Sequence, residues 1–132
     1  MPDASPTRNL LGAVGIAVAD LDRAADFYRS IFGMVDVMTF DLDHMQEIVL
    51  GFENGRGAAL VLMQYTDGSD NGRHGDPLKL VLYVEDPLAV AAAVEAAGFE
   101  VPVPPAPAAS LGGTLVGFVR DPDGHLIEIL SR

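Results

Sequence analysis

The stretch AVGIAVADLDRAADFYRSIF at Ala13–Phe32 decides the fold, because KLVLYVEDPLAVAAAVEAAGF at Lys79–Phe99 repeats its plan. Each copy opens with a short apolar run rich in β-branched residues, as a strand does. Each run then meets an acidic turn, Ala19-Asp20 in the first copy and Glu85-Asp86 in the second. Asp20 and Asp86 stand where N-caps belong, so their carboxylates meet backbone N–H groups left unpaired at a helix start. Leu21, Ala24, Ala25 and Tyr28 recur at helical spacing, as do Leu88, Ala92 and Val94 less cleanly. Gly33 and Gly98 stop the two helices, since glycine adopts the positive φ of a helix end without strain.

Three further apolar runs follow each helix. In the first half they are Val35–Phe40, Glu47–Phe52 and Ala58–Tyr65, with Asn54-Gly55 marking a hairpin. In the second half they are Phe99–Val103, Thr114–Val119 and His125–Leu130, with Asp121-Pro122-Asp123-Gly124 as a tight turn. Pro102–Ser110, rich in proline and alanine, reads as a loop. The fold class expected is α+β, with two tandem βαβββ modules forming curled mixed sheets. Residues 1–8 read as a flexible tail and 9–132 as a single domain. Within it, module one spans 9–66, a polar glycine-rich linker 67–77, and module two 78–132.

Composition narrows the function classes. The chain has 132 residues, enough for one domain with a real core, and 49% of them are hydrophobic. It has no cysteine, which excludes disulfides, thiolate catalysis and zinc–thiolate sites and makes the reducing cytoplasm the expected location. No apolar run approaches a membrane span, and the N-terminus lacks a basic-then-apolar signal pattern. A formal net charge of −11 repels phosphate backbones and anionic lipid, so neither nucleic acid nor a membrane is an expected partner.

VADLDRAADFYRSIFGM at Val18–Met34 and RDPDGHLIEIL at Arg120–Leu130 resemble the two signatures of the vicinal oxygen chelate superfamily. That family includes lactoylglutathione lyase (glyoxalase I), methylmalonyl-CoA epimerase, extradiol dioxygenases, and fosfomycin and bleomycin resistance proteins. The resemblance covers Leu10 to Ser131 and implies a cup built from the two modules. It also implies a homodimer in which modules of two chains complete each cavity, with pairing inside one chain as the alternative.

The resemblance further implies a divalent metal held by side chains on the first and last strand of each module. The corresponding positions here are Ala13 and Val61 in module one, and Lys79 and Glu128 in module two. Alanine and valine carry no donor atom, and lysine binds a metal only after losing a proton. No metal and no other cofactor is expected.

Strand parity gives a reading independent of the family. One face carries Val14, Ile16, Val18, Leu60, Leu62, Leu80, Leu82, Val84, Ile127 and Ile129, and should pack beneath the helices. The other carries Ala13, Gly15, Ala17, Ala59, Val61, Met63, Tyr65, Lys79, Val81, Tyr83, Leu126, Glu128 and Leu130. A largely apolar surface with few polar groups suits a small apolar or aromatic ligand, although core packing or a dimer interface accounts for the same pattern. Glu128 is the candidate base, Lys79 its counterion and Tyr83 or Tyr65 a hydrogen-bond donor to an enolate. An ion pair filling the vacated metal position is the structural alternative for Glu128 and Lys79. Ala13, Gly15, Val61, Met63, Tyr65, Met38, Phe40, His44 and Phe52 are the candidate ligand contacts. His44 sits in an acidic turn, Arg73 and His74 in the linker, and His125 on the opposite parity from Glu128, so His125 reads as structural.

Three functions fit these residues. The first is a metal-independent isomerase, epimerase or lyase using Glu128 as the base. The second is a non-catalytic protein that sequesters a drug or metabolite, as in the bleomycin-resistance branch. The third, a metal-dependent lactoylglutathione lyase or dioxygenase, needs a different ligand set from the one identified.

Overall fold

In the computed structural model, which describes residues 13–68 and 79–131, both repeated stretches form a strand followed by a helix. Module one runs β1 (Ala13–Ala17), α1 (Leu21–Phe32), β2 (Val35–Asp41), β3 (Met45–Gly51) and β4 (Ala59–Tyr65). Module two runs β5 (Lys79–Val84), α2 (Pro87–Ala96), β6 (Val103–Ala108), a 3₁₀ turn at Ala109–Leu111, β7 (Thr114–Arg120) and β8 (Leu126–Ser131). The expected tail and most of the expected linker, with Arg73 and His74, lie outside the described residues.

Each module folds into its own four-stranded sheet, ordered β1-β4-β3-β2 and β5-β8-β7-β6. In each, the first strand pairs parallel with the last, and the remaining neighbours are antiparallel. A parallel pair needs a long crossover, and the helix with its following hairpin supplies it. The helix starts behave as the aspartates require. Asp20 accepts from the Arg23 N–H and Asp86 from the Ala89 N–H, each at 3.1 Å. The Leu21 N–H, a further unpaired donor, is met by Gln64 Oε1 of β4 at 2.8 Å, which fixes α1 to its sheet. Gly33 closes α1 with a φ of 73°.

One expectation is corrected. Pro102–Ser110 is not a loop: Val103–Ala108 forms β6, and the strand expected at Phe99–Val103 begins where it was thought to end. Prolines lack an N–H and are tolerated where a strand has one free edge, and β6 lies at the edge of its sheet. Its ladder with β7 shifts register between Val103 and Ala106. The proline run is accommodated by Gly117 on β7. A Cβ there would stand 2.8 Å from Pro105 Cγ and 2.9 Å from its N and Cα. Gly117→Ala is therefore expected to lower stability by about 1–3 kcal/mol, because the contact is with backbone that cannot yield. Urea unfolding checks this, and an unchanged midpoint would refute the close-approach account.

Helix α1 packs on β3 and β4, α2 packs on β6, β7 and β8, and the helices touch each other. One core follows, joining Ile16, Leu50, Leu60 and Leu62 of the first sheet to Ala91, Val94, Val119, Ile127 and Ile129 of the second module. Phe27 of α1 meets Phe99, just beyond α2, edge to face at 5.4 Å between centroids. Among the described residues, no helix is long and apolar enough to cross a membrane.

Candidate functional site

The side of each sheet turned away from the helices is the open face, and strand register sets its rows. In module one, Gly15, Val61, Val49 and Met38 form one row across β1, β4, β3 and β2. Ala17, Met63, Glu47 and Phe40 form the next. In module two, Val81, Glu128, Phe118 and Val103 form the row equivalent to the first. Much of this surface meets solvent: Val37, Met38, Phe40, Val81, Tyr83 and Val103 are all exposed. Gly15 keeps its row shallow, since a Cβ there would lie 3.2 Å from Met63 Cε.

Lys79 and Glu128 meet. The Lys79 ammonium donates to Glu128 Oε1 at 2.7 Å, with the carboxylate side chain 16% exposed and the lysine 47%. Parallel pairing explains the contact: Glu128 registers with Val81, two residues along β5 from Lys79 on the same face. Tyr83 lies two residues further along β5 and is 61% exposed.

The resemblance to the vicinal oxygen chelate superfamily places a metal at Ala13, Val61, Lys79 and Glu128. Ala13 and Val61 offer no donor, and the Lys79 ammonium already occupies the one carboxylate, Glu128. No group of three or more His, Cys, Asp or Glu able to hold a metal occurs among the described residues. Hard divalent cations need several oxygen or nitrogen donors at once, so these residues do not fit a metal of the family type.

The other candidate contacts fall in different places. Val61, Met63 and Tyr65 lie half-buried on β4, while Ala13 and Gly15 are exposed on β1. His44 is exposed in the β2–β3 turn, where its carbonyl accepts from the Thr66 N–H at 2.9 Å. Phe52 packs against the core, away from the open face. Glu47 is a carboxylate that sequence reasoning missed: it stands half-buried between Met63 and Phe40. Its run was recognised as a strand, but only the hairpin register says which side faces out.

A second polar cluster ties the modules together beneath the site. The buried Tyr28 hydroxyl of α1 donates to Asp121 Oδ2 at 2.7 Å, and Asp121 Oδ1 accepts from the N–H groups of Asp123 and His125 at 2.9 Å. Asp123 Oδ1 accepts from the Ala19 N–H at 2.8 Å. His125 Nε2 lies 2.9 Å from the Ala17 carbonyl oxygen, so that nitrogen carries the ring proton. Burial, followed by the charge of Asp121, raises the Tyr28 phenol well above its ordinary pKa. Burial also raises Asp121, against the lowering effect of its hydrogen bonds from Tyr28, His125 and Asp123. The sequence identified His125 as structural and Tyr28 as core, but not the bond that joins Tyr28 to Asp121.

Residues 10–129 match the family model described as the Glyoxalase/Bleomycin resistance protein/Dioxygenase superfamily. A lactoylglutathione lyase of Haemophilus influenzae is 34% identical over 120 residues, covering 89% of this chain and 88% of the relative. The trypanothione-dependent glyoxalase I of Leishmania major superposes with a TM-score of 0.73 at 27% identity, covering 95% of this chain and 87% of that one. The V278E variant of maize glyoxalase I superposes with a TM-score of 0.79 at 25% identity over 92% of this chain. The chain spans only 44% of that maize protein's length.

Proposed function

The chain belongs to the glyoxalase/bleomycin resistance protein/dioxygenase superfamily, and from that premise we propose that it binds a small, largely apolar carbonyl compound on its open face. Glu128 then moves a proton at the bound compound. The observation that carries this reading is the Lys79–Glu128 pair, 2.7 Å apart on a surface otherwise made mainly of apolar side chains. Glu128 takes a proton from the carbon next to the carbonyl, and the electron pair of that C–H bond moves toward the carbonyl oxygen. The Lys79 ammonium, released from Glu128 as the carboxylate is neutralised, donates to the enolate oxygen, with Tyr83 as the alternative donor. Return of the proton from Glu128 to the other face of the same carbon, once the planar enolate has turned over, gives an epimer. Its return to the γ carbon of a β,γ-unsaturated compound gives an isomer. The relative named lactoylglutathione lyase supports a lyase class.

The exposed Val37, Met38, Phe40, Val81 and Tyr83 support a second copy of the chain completing each cavity. The contact between Lys79 and Glu128 also favours a second reading, sequestration without turnover, because it engages the only base proposed for the reaction.

A thermal-shift screen of small carbonyl compounds identifies ligands, and NMR in D₂O then follows exchange of their α protons. The catalytic reading expects exchange that is unaffected by chelator and by added Ni²⁺ or Zn²⁺. Stabilisation by a ligand that never exchanges supports sequestration. Exchange that requires a divalent metal, or a stoichiometric metal found by elemental analysis, would overturn both.

A further inference from the structure

A cavity of about 520 Å³ lies between the modules and reaches the open face at Lys79, Val81 and Tyr83. Its deeper wall comes from the helix side of both sheets, with Val14 and Leu60 on one side, Leu80 and Leu82 on the other, and Met34 and Phe52 beside them. Here the shared core reaches the surface, since Leu80, Leu82 and Phe52 are only partly buried against it. Two cations, Arg56 and Lys79, line this largely apolar space together with Asn54 and Tyr83.

We propose that this cavity binds a medium-chain aliphatic carboxylate, the alkyl chain among these side chains and the carboxylate against Arg56. The volume is that of an ordinary small-molecule site. The β3–β4 turn fixes the backbone from which the Arg56 side chain reaches the cavity, with the Gly55 N–H donating to the Phe52 carbonyl at 2.8 Å and the Arg56 N–H to Asn54 Oδ1 at 2.9 Å.

The charge pattern points to an anion. The chain has 19 acidic residues against 8 basic ones, so its cations have abundant internal partners. Arg29 pairs with Asp26 and Asp36, Arg120 with Glu100, and Lys79 with Glu128, while Arg23 lies over the Phe99 ring. Among the described residues, the Arg56 guanidinium forms no ion pair with a carboxylate. An anion without an apolar tail would meet one exposed cation and bind weakly. A tail without the anion would leave Arg56 unused. The ligand class that engages both is an amphiphilic carboxylate.

The cavity shares Lys79 and Tyr83 with the proposed proton-transfer site, but its test reads binding and not turnover, so the two can fail separately. The full chain is titrated calorimetrically with decanoate, decanol and decylammonium below their aggregation concentrations. Decanoate is expected to bind at least about tenfold more tightly than decanol, and decylammonium more weakly still. Arg56→Met should weaken decanoate about tenfold and leave decanol unchanged. Ala58→Phe fills the cavity and should abolish binding of both at an unchanged melting temperature. Gly15→Val, on the open face, should leave decanoate binding intact. The proposal is overturned by equal affinities for the three probes or by no binding. It is equally overturned by loss of binding in Gly15→Val, or by an Ala58→Phe variant that changes the oligomeric mass instead of the affinity.

Discussion

An Asp121→Ala chain is expected to lose about 3–5 kcal/mol of stability, because three buried donors lose their acceptor at about 1–3 kcal/mol each. Asp121 is 3% exposed and accepts from three donors: the Tyr28 hydroxyl and the N–H groups of Asp123 and His125. Alanine leaves all three without an acceptor where water cannot replace it. The turn from Asp121 to His125 also carries the bonds to Ala17 and Ala19, so its loosening weakens the join between modules. Asp121→Asn keeps an acceptor for the two backbone donors and should lose less. The folded-state pKa of Asp121 is raised, mainly by burial, so its contribution is full below the unfolded value of about 3.9. That contribution is lost as pH rises through the folded value. The advantage of wild type over Asp121→Asn, measured by urea unfolding, should therefore be greatest at about pH 4 and shrink toward neutrality. A deficit that grows with pH would contradict the assignment.

Glu128→Gln is expected to lower turnover of a proton-transfer substrate by about 10²–10⁴-fold while leaving ligand affinity within about threefold. The amide has nearly the shape of the carboxylate but cannot take a proton. Glutamine keeps an acceptor for the half-exposed Lys79 ammonium, so folding should be little affected. Lys79→Met separates the remaining roles. As an enolate donor, Lys79 affects kcat more than KM; as a mere counterion, its loss leaves kcat unchanged. Parallel losses of affinity and turnover in Glu128→Gln would mean that Glu128 holds the ligand and does not transform it.

The sequence made the repeat legible because Asp20 and Asp86 announce both helices, and both in fact cap them. The apolar alternation in Val14, Ile16, Leu60, Leu62, Ile127 and Ile129 correctly marked the side that packs under the helices. The sequence allowed Lys79 and Glu128 to meet, because first and last strands of a module are neighbours in the fold its resemblance implies, and β5 and β8 do pair. Strand β6 was missed because proline argues against a strand wherever the sheet edge is unknown. Glu47 was missed because facing depends on hairpin register, which a shift of one residue inverts. The Tyr28–Asp121 bond joins residues 93 positions apart, a distance at which side-chain spacing carries no signal.

Alternation along the strands separates two duties by a single residue. Ile127 and Ile129 secure β8 to the core, while Glu128 between them only half touches it. The same holds for Val61 between Leu60 and Leu62. Side chains at Ala13, Val61, Lys79 and Glu128 are thus free to change across descent without the core being repacked. A lineage carrying this framework can exchange one chemistry for another by small steps, each intermediate still folded.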